Sequence, residues 1–421
     1  MKRRFNHATT EEALEKIAAI PSLKPEVEEV ALADAYGRVL AEDVVSPEDI
    51  PPKHRAFFDG YAVRSSDVKE ASKEKPVMLK VAGRIDLKNL SPPPLGLKEA
   101  YRVPTGALLP QGADAIIPLE VVEFAEGGEI AVRGKVEEGQ YLTAAGKDMV
   151  RGATVLRRGR ILLAQDLDLL FMFRMKTVKV YRKPKVAILS VGSELMGDLE
   201  EEDPSKTPAS HSILVQKLVE AAGGAPSYLG VCPDDGEEIG RRLEEALASH
   251  DMAATIGGSS VGEADLVVET VNRLGKPGIL VYGLKVKPGA VSSLGLVHGK
   301  PVALLPGLIQ STLIGFHFLL LPLILAKLGL KIDEYKPTVK ARLSSRVDWG
   351  KPTEFKRALF VELSREEAGF AARPLRGESS LISPVLASHG YAFVSGSKTS
   401  LEAGEWLDVY LLPGLARLEA V

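Results

Sequence analysis

The chain has 421 residues, 45% hydrophobic and 26% charged, which excludes a disordered protein and suggests roughly three domains at about 150 residues each. A formal net charge of -3 excludes an electrostatic case for binding nucleic acid. Cys232 is the only cysteine, so an internal disulfide and a cysteine-based zinc site are excluded as well.

No apolar signal-peptide core follows the basic start Met1-Lys-Arg-Arg, so a cytoplasmic protein is expected. Thr9-Thr-Glu-Glu12 forms a capping-box pattern, opening a helix with Leu14, Ile17 and Ala18 on one face. A second helix is predicted over 26–35. From Pro47 the texture changes to short β-type runs rich in Gly and Pro. This predicts a β-rich domain at 49–146, inserted between helical segments at 1–48 and 147–180, the latter with a helix at 161–173. Within the insertion, Asp59-Gly60 and the 103–117 stretch read as turns between strands.

From Lys185 strands and helices alternate. Strands are expected at 186–189, 228–232, 252–256, 279–286, 291–296 and 302–305. Helices are expected at 210–222, with Ser210 as cap, at 235–247, at 266–271 and at 308–328. This is a doubly wound α/β domain spanning 181–332. Its most apolar stretch, 313–326, is interrupted by Gly315, His317 and Pro322, and reads as a buried core helix rather than a membrane span. The remainder, 333–421, carries short alternating strands that predict a small β-barrel or sandwich, with Arg357 and the 379–383 turn as polar candidates.

One turn in the α/β domain draws the chemistry together. Gly257-Gly-Ser-Ser-Val-Gly-Glu-Ala-Asp265 lies between a strand and a helix, where backbone N–H groups suit a phosphate and Asp265 suits a hard cation. Glu194, Asp234 and Asp265 each follow a parallel strand, at the edge where open α/β sheets bind ligands. Lys287-Pro-Gly289 and Pro306-Gly307 also stand at strand boundaries. Three carboxylates, a lysine and a Gly/Ser turn on one rim suit a metal-bridged phosphate or oxyanion.

Several motifs in one order give the chain its resemblance to a family. Asp59-Gly-Tyr-Ala-Val63, Thr105-Gly-Ala107 with Gly112-Ala-Asp-Ala115, Gly146-Lys-Asp148, Ser190-Val-Gly-Ser-Glu194, the 257–265 turn, Lys287-Pro-Gly289 and Pro306-Gly307 resemble the molybdopterin molybdenumtransferases, the type that includes the E domain of gephyrin. The likeness covers nearly the whole length. It implies four domains, a homodimer and transient contact with molybdopterin adenylyltransferase and with molybdoenzymes or tungstoenzymes. It also implies the reaction, in which adenylylated molybdopterin and molybdate or tungstate give the metal cofactor and AMP with Mg2+. By this resemblance Glu194, Asp234 and Asp265 would hold the magnesium. Gly257, Gly258, Ser259, Ser260 and Gly262, with Pro306 and Gly307, would cradle phosphate or pterin. Lys287 and Arg357 would draw in the oxyanion, and Asp59, Thr105, Asp148 and Ser383 would line or support the cleft. The chain departs from the family pattern at His54-Arg55, Ala209-Ser-His211, Gly283, Ala290 and Leu308-Ile309. Those departures leave a non-catalytic pterin-binding scaffold as the alternative reading.

Overall fold

The computed structural model describes residues 6–197, 203–258, 265–331, 338–367 and 369–412. The chain forms two compact units: one joins the N-terminal segment up to Ala41 with everything from Thr177 onward, and the other is Glu42–Lys176.

The first unit opens with helix Thr10–Ala18, whose capping box is complete. The amide of Glu12 donates to Thr9 Oγ1 at 3.1 Å, and the amide of Thr9 donates to Glu12 Oε2 at 2.7 Å. The 26–35 stretch is not the helix its glutamates suggest. Val27–Ala31 is a strand, antiparallel to Thr177–Tyr181, followed by a short 3-10 turn at Leu32–Asp34. Here cross-strand pairing overrides helix propensity. Arg182 fixes the junction, donating to both carboxylate oxygens of Asp251 at 2.9 and 2.7 Å and to Glu26.

The α/β sheet runs in the order Ala225–Cys232, Lys185–Val191, Met252–Gly257, Lys300–Leu305, Ser293–Val297, Gly278–Tyr282. Its first four strands are parallel and its last two antiparallel. The central Lys185–Val191 strand is buried after its first residue, as an apolar run covered on both faces must be. Ile239, Leu243 and Leu247 of helix Gly236–Ser249, with Val267 and Val271 of helix Leu266–Leu274, pack on Leu189, Val191 and Leu304. Ser210 precedes helix His211–Ala221 but makes no side-chain cap bond; its hydroxyl meets His211 Nδ1 at 3.3 Å instead.

The 309–327 helix is long and apolar enough to cross a membrane, yet 94% of its apolar window is buried inside the protein. Pro322 cannot donate to the carbonyl four residues back, and a π turn at Phe316–Leu320 absorbs the missing bond. Strands Lys356–Glu366, Gly369–Pro374, Thr338–Leu343, Trp406–Leu411 and Gly390–Val394 close into a five-stranded barrel, because the last pairs back onto the first. The run expected as one strand at 279–286 divides. Gly278–Tyr282 stays in the α/β sheet, while Val286–Lys287 pairs with Lys356–Arg357 beside the barrel. His317, buried in the core helix, meets the Tyr391 hydroxyl of the barrel at 2.9 Å, and burial raises the Tyr391 pKa.

The second unit is built on a six-stranded sheet in the order Ala115–Pro118, Gly60–Val63, Glu99–Val103, Val77–Arg84, Glu129–Val132, Val122–Phe124. Tyr61, Leu79, Ile117 and Ile130 fill one face, while Ala62, Ile85, Val103 and Ile116 fill the other. The unit ends on helix Ala164–Met172, shorter than the 161–173 pattern. Gly60 is required by a close approach: a Cβ there would lie 2.2 Å from the carbonyl oxygen of Ile117.

Gly60→Ala is therefore expected to destabilise the inserted unit by about 1–3 kcal/mol. Gly134→Ala, whose Cβ would make an ordinary 3.7 Å contact, should stay within roughly 0.5 kcal/mol. Chemical-denaturation midpoints of the two variants measure the contrast.

Candidate active site

Strand register sets the rim of the α/β domain. Val191 is level with both Cys232 and Gly257, so the turns after three adjacent parallel strands leave from one edge. The first two turns lock together: the Ser193 amide donates to Asp234 Oδ2 at 2.8 Å, and the Asp234 amide donates to Ser193 Oγ at 3.0 Å. Gly257 has φ +88°, and a Cβ there would sit 2.4 Å from the Val191 carbonyl oxygen. A Cβ on Gly307 would lie 3.6 Å from Gly257 Cα, so the turn after Lys300–Leu305 lies against the turn after Met252–Gly257. His211, half-buried at the start of its helix, bonds to the Gly307 backbone, and its burial lowers its pKa. Ser259, Ser260 and Gly262 lie outside the described residues.

Asp265 is the unusual group of this rim. It caps helix Leu266–Leu274, with Oδ1 accepting from the Val268 amide at 3.2 Å. Its other oxygen, Oδ2, is buried with no partner among the described residues, and only 9% of the residue is exposed. Burial pushes the carboxyl up to about 6. Glu194 and Asp234 are exposed. Among the described residues no three of His, Cys, Asp or Glu are grouped closely enough to hold a metal ion, so the expected Glu194, Asp234 and Asp265 cluster is not assembled. The carboxylate of Asp234 is turned toward Ser193 and that of Asp265 toward its own helix.

A pocket of about 730 Å³ opens where the α/β domain meets the barrel, within the same unit. Lys287, Pro306, Gly307, Trp349, Arg357 and Arg376 are among its lining residues. Pro306 and Gly307 thus belong to both rim and pocket. Lys287 is exposed, with Nζ 4.5 Å from the centre of the Phe355 ring, and no ion pair joins it among the described residues. Arg357 is spent otherwise. Its Nη1 donates to the carbonyls of Gly396 (3.1 Å) and Lys398 (2.5 Å), its Nη2 to that of Lys351 (2.6 Å), and its guanidinium lies 4.8 Å from the Trp349 ring. It braces the pocket wall. Gln310, which no sequence pattern marked, donates to the carbonyls of Glu378 (2.9 Å) and Leu381 (3.2 Å) and holds the turn that brings Ser379 to the pocket. Ser383 begins the short helix Ser383–Ala387 and does not line this pocket.

The remaining candidates belong to the inserted unit. Asp59 Oδ1 accepts from both the amide and the hydroxyl of Thr105 at 2.7 Å each, and these bonds hold the Asp59 carboxyl below its ordinary range. Asp148 is exposed, its amide donating to the Ile50 carbonyl at 3.0 Å.

Two outcomes follow from these environments. Folded Asp265 binds its proton more tightly than the unfolded chain does, so its contribution to stability is complete below pH 3.8 and is lost as pH rises through about 6. Asp265→Asn removes the buried charge and should stabilise the protein at pH 7.5 by about 2 kcal/mol, the gain vanishing in acid. Arg357→Lys loses the fork that reaches three carbonyls and should cost about 1–3 kcal/mol. Thermal unfolding across pH measures both; an unchanged melting temperature for Arg357→Lys would show that its bonds do not brace the wall.

Family models match along the chain. The MoeA N-terminal region (domain I and II) matches residues 8–173, a probable molybdopterin binding domain matches 187–326, and the MoeA C-terminal region (domain IV) matches 340–412. The chain is 29% identical over 391 residues to a molybdopterin molybdenumtransferase of Bacillus subtilis, covering 92% of this chain and 90% of that one. It is 33% identical over 327 residues to molybdopterin molybdenumtransferase 2 of Mycobacterium tuberculosis, covering 75% and 78%. A crystal structure of the molybdopterin biosynthesis MoeA protein from Pyrococcus horikoshii superposes with a TM-score of 0.85 at 32% identity, over 97% of this chain and 100% of that one. Three domain matches in order and a shared fold over nearly the whole length make this chain a member of the molybdopterin molybdenumtransferase family, an enzyme of molybdenum cofactor biosynthesis.

Proposed function

We propose that the enzyme inserts molybdate, or tungstate, into adenylylated molybdopterin and releases AMP. The observation that carries this reading is the buried Asp265 Oδ2, without a partner among the described residues, at the edge where the Gly257 and Gly307 turns meet. A carboxylate held dry without a partner is costly, and a cation bridging it to a substrate phosphate relieves that cost. Mg2+ is commonly bound by one or two carboxylates together with substrate phosphates, so one such oxygen fits it and a complete protein cage is not required. Bound there, the ion would neutralise charge on the phosphoanhydride. Glu194 and Asp234, exposed on the same edge, would supply its further carboxylates.

The chain's own residues supply the rest. The turn at Gly257 and Gly258 packs so closely on Val191 and Val267 that neither position has room for a Cβ, and its backbone at the strand ends is where a phosphate would bind. Lys287 at the neighbouring pocket attracts the tetrahedral dianion as a point charge, while Arg357 keeps the wall in place. Asp59 and Thr105 act as one hydrogen-bonded pair in the inserted unit. The enzyme is taken as a cytoplasmic homodimer, meeting molybdopterin adenylyltransferase and the molybdoenzymes or tungstoenzymes only transiently.

Incubation with adenylylated molybdopterin, Mg2+ and molybdate should release AMP. Folded protein that releases none at saturating substrate rules the reaction out. Turnover should decline as pH falls through about 6, where Asp265 takes up its proton. Asp265→Ala should lower kcat at least about a hundredfold while leaving the circular-dichroism spectrum unchanged.

A further inference from the structure

The segment that leads to Lys287 is held by two neighbours within its own unit. The first is the barrel edge, where the Lys356 amide donates to the Lys285 carbonyl at 2.9 Å. The second is a strap made by residues 6–8. The Ala8 amide donates to the Gly283 carbonyl at 3.0 Å, the Lys285 amide donates to the Ala8 carbonyl at 2.8 Å, and Asn6 bridges to Tyr282. The helix that follows the strap is tied to the same place. Lys356 Nζ donates to Thr10 Oγ1 at 2.8 Å and to Glu11 Oε1 at 2.9 Å. Strap, Lys287 segment and barrel edge therefore form one hydrogen-bonded assembly.

Those bonds bring His7 of the strap to Phe355 of the barrel edge. The two half-buried rings pack edge to face, 5.0 Å between centroids with their planes at 77°. The same Phe355 ring carries the Lys287 ammonium, with Nζ 4.5 Å from its centre. A ring face attracts a cation through its quadrupole, so the ammonium is fixed only as well as the ring beneath it. The charges nearby sort themselves. Lys285 pairs with Glu354 at 3.1 Å. Burial lowers the His7 pKa against the pull of Glu354, with Lys287 and Lys285 adding to the lowering, so the imidazole is neutral near pH 7. Of His7, Lys285 and Lys287, the last keeps a charge that no ion pair compensates among the described residues, and it lines the pocket between the α/β domain and the barrel.

We infer that His7 is a positioning residue for oxyanion binding: through the Phe355 ring it holds the Lys287 ammonium at this pocket. The inference rests on the proposed role of Lys287 and adds a residue of the N-terminal strap that acts only through it. A lysine ammonium sits on a flexible four-carbon stem, and an anion that binds it must otherwise offset the ordering of that stem. A ring clamped from its other contacts by His7 does part of that ordering before the dianion arrives.

The test is calorimetric titration of molybdate alone, at pH 7.5, into the full-length wild type and into His7→Ala, His7→Phe and His298→Ala. His298, an exposed histidine 3.3 Å from Glu244, is the remote control. His7→Ala should weaken binding roughly 2- to 10-fold, with His7→Phe restoring most of it and His298→Ala changing nothing. In a Lys287→Met background, where binding is already weaker, His7→Ala should have no further effect. In turnover, His7→Ala should raise the KM for molybdate and leave kcat and the KM for adenylylated molybdopterin within about twofold. Unchanged binding by His7→Ala overturns the inference. So does a His7→Phe variant as weak as His7→Ala, or a His7→Ala loss that persists without Lys287. A wild type that binds no molybdate overturns it as well. One that binds molybdate but releases no AMP defeats the proposed reaction while leaving the His7 comparison decisive.

Discussion

Lys287 and Arg357 lie opposite each other in a two-residue parallel pairing, and the seam pocket depends on that short ladder. Val286–Lys287 leaves the α/β sheet to run beside the barrel, so the strand that carries the exposed lysine is held by the strand that carries the bracing arginine. Arg357 then ties three carbonyls of the 351 and 396–398 turns to the same point. The buried contact of His317 with Tyr391 makes a second tie between the core helix and the barrel. Through Pro306 and Gly307 the pocket continues into the rim where Gly257 lies.

The alternation of strands and helices after Lys185 was legible because each apolar run is short, bounded by turn residues and followed by a helical stripe. The capping box at Thr9 was legible for the same reason, since its geometry is local. The 26–35 error has the opposite origin. Glu-rich residues favour a helix locally, but the partner strand at Thr177–Tyr181 lies about 150 positions away and leaves no mark on the segment itself. The division of the 279–286 run is a tertiary event of the same kind. Arg357 was visible as a cation but not as a brace, because its partners are backbone carbonyls with no sequence signature. Trp349, Arg376 and Gln310 are likewise defined only by the pocket they meet.

The rim carboxylates show where spacing along a chain stops being informative. Reading Glu194, Asp234 and Asp265 as residues just past strand ends places them on one edge, and the strand register agrees. Proximity of backbones does not aim side chains. Asp234 accepts from the Ser193 amide of the neighbouring turn and Asp265 caps its own helix, bonds that compete with a shared cation. What persists among the described rim carboxylates is one buried oxygen without a partner, a position that favours the protonated form over the bare charge. Ionised at neutral pH, that buried carboxylate lowers the stability of the fold.

The departures from the family pattern have structural explanations that differ in kind. Ile309 is buried and begins the core helix, so its apolar side chain contributes to packing. Leu308 is 46% exposed and lines the pocket beside Pro306, where it makes the wall less polar. Ala290, also at the pocket, accepts the Leu284 amide through its carbonyl at 2.9 Å, a backbone role open to any residue. His211 brings new polar chemistry to the rim, because its imidazole bonds to the Gly307 backbone at the meeting of the two turns. A carboxylate there would have added negative charge to the rim. A half-buried histidine, its proton affinity lowered by burial, is neutral near pH 7 and leaves Asp265 as the buried carboxylate among the described residues of the rim.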